Sequence, residues 1–292
     1  MSMIKMVYVS QWGGTLDLFD NDLFWVTNID GLTNVATSIA SVVIGGIDGD
    51  EINNIQAQPR DIIMDFRIKT GVNVEYAKRA ITAIIKAKQK CTLQWTQNQR
   101  TLVIQGTVSA ITMPRFKQGV TMQVSIHCGV PFWEDQNETE SEISEAENLH
   151  YFTDYVNDML YFPDDHGIPF GEIDTSRTKT FNNSGDVAVG MVIEIIAYKT
   201  VTNPIIYDQY GNFFGIGYGS KTVTMAAGDK LVINTKKNEK SVKLNGESML
   251  DYIKPQSTWI QLEAGENTFS INSDDSEIDN MVFTLIYRQR YV

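Results

Sequence analysis

The chain has 292 residues, 42% of them hydrophobic, with 7 prolines and a formal charge of −12. That length allows one large or two ordinary globular domains with substantial cores. The acidic balance argues against the clustered Lys and Arg of a DNA- or RNA-binding surface, and two cysteines, Cys91 and Cys128, without metal-ligand spacing imply neither a zinc site nor a disulfide scaffold.

The opening segment Met1 to Ser10 lacks the long apolar core and cleavage site of a signal peptide. Gly31 to Ile47 is uncharged, but Thr33, Asn34, Thr37, Ser38, Ser41, Gly45 and Gly46 make it too polar, and it is too short, for the roughly 20 apolar residues of a membrane span. A strand pair is predicted there, with Asp48-Gly49-Asp50-Glu51 as a hairpin turn; the twelve-residue spacing of a calcium loop is missing. Asp61 to Lys69 places Met64, Phe66 and Ile68 on one strand face. A helix is predicted from about Asn73 to Lys88. Asn73 caps it, Glu75 lies in its first turn, Ala77, Ile81, Ile84 and Ile85 form one apolar stripe, and Lys86 and Lys88 sit near its end, where the helix dipole favours cations. The basic group Lys78, Arg79, Lys86, Lys88 and Lys90 reads as a solvated face of that helix.

Thr101 to Ile111 is another strand, and Gly106 within it predicts a bulge or a close backbone approach. Val120, Met122, Val124, Ile126 and Cys128 then alternate with polar residues, the period of a half-buried antiparallel strand. Gly129-Val130-Pro131 stops that ladder, because proline has no N–H to donate, and Phe132-Trp133 close the unit.

Residues 134 to 147 carry seven acidic side chains in fourteen and read as solvated linker. Residues 148 to 180 are aromatic but broken by Pro163, Asp164, Asp165, Gly167 and Pro169, as in an ordered connector. Beyond Thr178 strands return. Val187, Val189, Met191, Ile193 and Ile195 share a face, Tyr210-Gly211-Asn212 is a turn, and further strands are predicted at 231–234, 242–244, 259–262, 268–271 and 281–287. Short strands with turn signals every 8 to 12 residues indicate an antiparallel sandwich.

Catalytic chemistry has little support. The three histidines, His127, His150 and His166, belong to no recognisable motif, and Asp164-Asp165-His166 reads as a turn, since adjacent residues rarely converge on one ion. No cofactor or metal site is predicted. Cys91 and Cys128 read as buried apolar groups. Trp259 is the single candidate site residue: it shares a strand face with Gln261, opposite Ile260 and Leu262, and an exposed indole on a sandwich can stack on a sugar. The competing reading is a half-buried edge residue.

The order of short motifs carries more information than any one of them. In the first half these are Ile47-Asp48-Gly49-Asp50, Gln58-Pro59-Arg60-Asp61-Ile62, Arg79 and Ile81, Leu102 to Val108, and the closing Cys128-Gly129-Val130-Pro131-Phe132-Trp133-Glu134-Asp135. In the second half they are Asn182 to Asp186, Asn203-Pro204-Ile205-Ile206, Ala227 to Thr235, Val242 to Gly246, Leu262 to Asn267 and Tyr287 to Tyr291. In this order the chain resembles the distal tail proteins of long-tailed bacteriophages. The resemblance implies a mainly β protein with two β-sandwich domains. Residues 1–133 would be a ring-forming sandwich with one packed helix, 134–175 an acidic and aromatic connector, and 176–292 a galectin-like sandwich. It further implies a structural, non-enzymatic protein of the virion tail tip, made in the host cytoplasm and assembled as a hexameric ring. Its partners would be further copies of itself, the tail tube protein, the tape-measure protein and the tail-tip hub or receptor-binding protein. Neither nucleic-acid binding nor membrane insertion is expected. An acidic wall repels phosphate, which suits a passage for DNA. The alternative is a carbohydrate-binding module of a wall-binding protein, marked by exposed aromatics on the second domain.

Overall fold

The computed structural model describes residues 4–33, 35–46, 48–113, 121–141, 178–274 and 280–292. The chain divides into two compact units, Met1–Asn137 with Arg290–Val292, and Glu138–Gln289. Both are mainly β, as expected, and α1 is the one α-helix among the described residues.

The first unit begins with strands β1 (Lys5–Ser10), β2 (Thr15–Asp17), β3 (Phe24–Asp30), β4 (Thr37–Val42), β5 (Glu51–Ala57) and β6 (Arg60–Ile68). Helix α1 (Val74–Ile84) follows, then β7 (Lys90–Gln97), β8 (Arg100–Thr112), β9 (Thr121–Cys128) and β10 (Trp133–Asp135). Antiparallel pairing gives the order β2-β1-β7-β8-β9-β6-β3. One face of this sheet is apolar: Met6 and Tyr8, Met64 and Phe66, Cys91 and Leu93, and Met122, Val124, Ile126 and Cys128 all belong to a single core. Strict alternation put them there, because successive strand residues point to opposite faces.

Helix α1 adds Ala77 and Ile81 to that core. Asn73 caps it, its Oδ1 accepting from the Tyr76 N–H at 3.1 Å. The helix is shorter than its stripe predicts: it stops at Ile84, and buried Ile85 is its extended C-cap residue. Lys86 and Lys88 therefore lie beyond the last turn, and Lys88 has a left-handed backbone (φ 64°). Gly106 marks a close approach. A Cβ there would meet Ile126 Cγ2 at 2.4 Å and Cys128 Sγ at 2.9 Å. The bulge in this strand lies further along, between Val108 and Ala110.

The second unit contains β11 (Thr139–Ser141), β12 (Thr178–Asn183), β13 (Val192–Ala197), β14 (Val201–Thr202), β15 (Ile205–Asp208), β16 (Phe213–Gly215) and β17 (Thr224–Met225). After these come β18 (Lys230–Asn234), β19 (Ser241–Leu244), β20 (Glu247–Ser248), β21 (Gly265–Asn272) and β22 (Met281–Tyr287). A six-stranded sheet, β11-β22-β13-β18-β19-β20, and a four-stranded sheet, β12-β21-β15-β16, are the two layers. Ile193, Ile195, Phe283 and Leu285 from the first and Ile206, Phe214, Phe269 and Ile271 from the second share one core, the sandwich that the turn spacing predicts. Residues 259–262 differ from expectation. They keep the alternation, with Ile260 and Leu262 buried, but form no ladder beyond a single bridge from Leu262 to Val189.

The last strand, β23 (Arg290–Tyr291), belongs to the first unit and pairs with β10. The described part of the acidic run is likewise structured: Glu134 and Asp135 lie in β10, and Glu138 is ion-paired to Lys236 at 2.9 Å. Residues 142–175 of the expected connector lie outside the described residues, as does Val120.

Candidate functional site

Two places carry features that the cores do not explain. The first is the ribbon β4–β5, the predicted strand pair, with its partner strand further along than expected. Its turn includes the predicted Asp48-Gly49-Asp50. The ribbon is a separate two-stranded sheet, with Ile39 opposite Ile55 and a register shift between Ala40 and Ser41. Every one of its strand residues is exposed. Ile39, Val42, Val43, Ile44, Ile52 and Ile55 are each more than two-fifths exposed; Val43 reaches 76%. A lone two-stranded ribbon is marginal in water, and exposed aliphatic clusters of this kind mark surfaces that another chain covers.

The second is an open groove in the second unit, of about 240 Å³, lined among others by Tyr210, Trp259, Gln261 and Glu263. The turn between β15 and β16 builds one side. The Asp208 carboxylate accepts from the N–H groups of Tyr210 (2.9 Å) and Asn212 (2.8 Å) and from Asn212 Nδ2 (2.8 Å), so the turn is held internally. Tyr210 projects from it with 69% of its surface exposed. Trp259 lines the same groove but is not a bare platform. Its ring packs on Phe214 at 4.8 Å, and Lys240 Nζ lies over it at 5.2 Å. Asn267 accepts from the Glu263 N–H at 2.9 Å and donates to the Glu263 carbonyl at 2.8 Å, fixing the other rim. The sequence places Tyr210 only in a turn; that it lines one groove with Trp259 depends on contacts across some fifty residues that the local pattern does not show.

The other chemistry-bearing residues do not converge. His127 Nδ1 pairs with Asp61 at 2.7 Å on an exposed strand face. Among the described residues no group of three His, Cys, Asp or Glu side chains is placed to hold a metal ion. His150, Asp164, Asp165 and His166 lie outside the described residues. Cys91 and Cys128 are free and buried. Burial pushes the Cys91 thiol up to about 11, against a smaller lowering by its hydrogen bond with Tyr8. Cys128 is pushed up to about 12 by burial and then by Cys91. Neither is a nucleophile near neutral pH. No helix among the described residues is long and apolar enough to cross a membrane.

Residues 184–291, most of the second unit, match the family model of the siphovirus-type tail component, C-terminal domain. That match places a siphovirus-type tail-component domain in the second unit. The solved structure of the SPP1 Dit protein (gp 19.1), described as a paradigm of hub adsorption apparatus in Gram-positive infecting phages, shares the fold. It covers 99% of this chain and 100% of its own, with a TM-score of 0.63 at 14% identity. A chain of the phage P2 baseplate in its activated conformation with calcium covers 97% of this chain and 98% of its own, at 12% identity and a TM-score of 0.45. No curated protein matches the chain. The family match thus lies in the second unit, and the likeness of fold runs along the whole length.

Proposed function

We propose that the chain is a distal tail protein that assembles as a homo-hexameric ring at the tip of the virion tail, built by residues 1–133. The ring joins the tail tube to the tail-tip hub or receptor-binding apparatus, and the tube and tape-measure proteins are its further neighbours. The ribbon β4–β5 is the observation that carries this reading. A closed ring uses two different patches on each subunit, one complementary to the other. A two-stranded arm exposing Ile39, Ile52 and Ile55 is suited to be one of them, buried against the next copy. The proposed role is architectural and needs no active site, and the chain is made in the host cytoplasm before it joins the tail.

The test is particle size. The full chain is measured by light scattering over a range of concentrations and imaged by electron microscopy. Rings are expected, and the double variant Ile39→Asp, Ile55→Asp is expected to be a folded monomer, because both side chains are already in water within one subunit. Rings that persist in the double variant would remove the ribbon from the interface. A full-length chain that stayed monomeric and hydrolysed a polysaccharide would remove the ring and the non-enzymatic role together.

A further inference from the structure

The groove of the second unit has no part in building a ring from the first. We infer that it is a subsite for a neutral pyranose saccharide, with Tyr210 as the stacking ring and Trp259 as the fixed wall behind it. The chemistry of the lining selects this class. A pyranose has an apolar C–H face and a rim of hydroxyls. The first matches an exposed aromatic ring, and the second needs amides and carboxylates that both donate and accept. Tyr210 supplies the ring, 69% exposed. Gln261 and the carboxylate of Glu263 line the groove. Gln209 is anchored through Oε1, which accepts from the Thr268 N–H at 3.0 Å, so its Nε2 remains to donate.

The charges disfavour the acidic relatives of such a ligand. Asp208 and Glu263 line the groove, and the one cation at its edge, Lys240, already lies over the Trp259 ring at 5.2 Å, so a uronate or phosphate would meet two carboxylates. Preorganisation supports the same reading. The Asp208-centred turn and the Asn267–Glu263 pair hold both rims without a ligand, which lowers the ordering cost of binding. The volume of about 240 Å³ lies below the roughly 300 to 1,000 Å³ of pockets for drug-sized ligands, so the groove takes one or two sugar rings of a longer chain and binds them weakly. Repetition of a weak subsite over several copies of the chain would raise its avidity.

The full chain is titrated with maltotriose, cellotriose and tri-N-acetylchitotriose, and with heparin and a tri-arginine peptide as charged competitors, read by saturation-transfer NMR and calorimetry. Saturable binding of at least one neutral trisaccharide is expected. Tyr210→Ala should weaken it by about tenfold or more through loss of the stacking face, and Gln261→Ala by about threefold through loss of hydrogen bonding. Both variants should keep the wild-type melting temperature, since both side chains are exposed. The inference is overturned if none of the three sugars saturates, if Tyr210→Ala binds as tightly as the wild type, or if heparin or the arginine peptide occupies the groove instead. Particle size in the same samples reads the ring assignment separately, so the two can fail independently.

Discussion

Arg60 and Trp133 share one acceptor. Arg60 Nη1 donates to the Leu32 carbonyl at 2.6 Å and Trp133 Nε1 donates to the same oxygen at 3.0 Å. The Pro-Arg-Asp segment that opens β6 and the Pro-Phe-Trp segment that leads into β10 are thereby tied to the loop that precedes the exposed ribbon. The two donors differ in what they contribute. Trp133 is 1% exposed and stacks edge-on against Trp95 at 5.6 Å, whereas Arg60 is buried with Nε and Nη2 unpartnered.

Trp133→Ala should therefore cost about 3–5 kcal/mol, the range for emptying a large aromatic site. Arg60→Met should stay within about 1 kcal/mol of the wild type, because a poorly paired buried charge is replaced by a side chain of similar volume. Urea unfolding of the full chain gives both values. Equal large losses would mean that the guanidinium is satisfied by ordered water.

The C-terminal strand should stabilise the first unit and leave the second alone. Arg290 donates to the Glu134 carboxylate at 2.7 Å, and Tyr291 stacks under the Arg100 guanidinium, 3.9 Å from the ring centroid. Arg290→Ala should lower the stability of the first unit by about 1–2 kcal/mol, given a partly exposed pair with charged hydrogen bonds. Differential scanning calorimetry that resolves the two transitions would show it. A shift confined to the other transition would contradict this allocation.

Ile81→Ala should cost roughly 2–5 kcal/mol, since Ile81 is fully buried under the sheet. Ile81→Asp should be worse, because it strands a carboxylate in an apolar site. An unchanged melting temperature for Ile81→Asp would show that this face of α1 carries no core.

The thiols predict an alkaline limit. Their folded pKa values, about 11 for Cys91 and about 12 for Cys128, lie above the usual value of 9. A group whose pKa is raised by folding adds stability that is complete below its unfolded value and fades as pH rises towards the folded one. The melting temperature of the first unit should thus fall from pH 9 towards 11. Cys128→Ala should flatten that slope. A profile level to pH 11 in the wild type would contradict the burial of the thiols.

Duplex DNA should not bind at physiological salt. The charge of −12 opposes it, and the basic residues do not form the single helix face that their spacing predicts. Lys78 is engaged with Glu75 at 3.6 Å, and Lys86, Lys88 and Lys90 lie beyond α1. Salt-sensitive micromolar shifts in a mobility assay would show that local charge dominates.

Local patterns were legible and remote pairings were not. Alternation located β6, β8, β9 and β22 to within a residue or so, and Asn73 with Glu75 located the start of α1, because these features are set by neighbours in the chain. The end of α1 was misplaced: Ile84 and Ile85 continue the apolar stripe while the backbone turns extended. At 259–262 the burial pattern was right and the ladder was not, since alternation reports which side faces the core and not whether a partner strand is present. The return of Arg290 and Tyr291 to Glu134 and Asp135 spans 156 residues and leaves no periodic trace. Tyr210 beside Trp259 was hidden for the same reason.

The position of β23 also sets a timetable for synthesis. A ribosome delivers β10 with its far edge open, and the strand that covers it emerges only after the whole of the second unit has been made. Unpaired strand edges are where nascent chains stick to one another. The first unit of each copy therefore stays unfinished while the second unit is made, and it closes only as β23 follows β22, the last strand of the second unit, out of the ribosome.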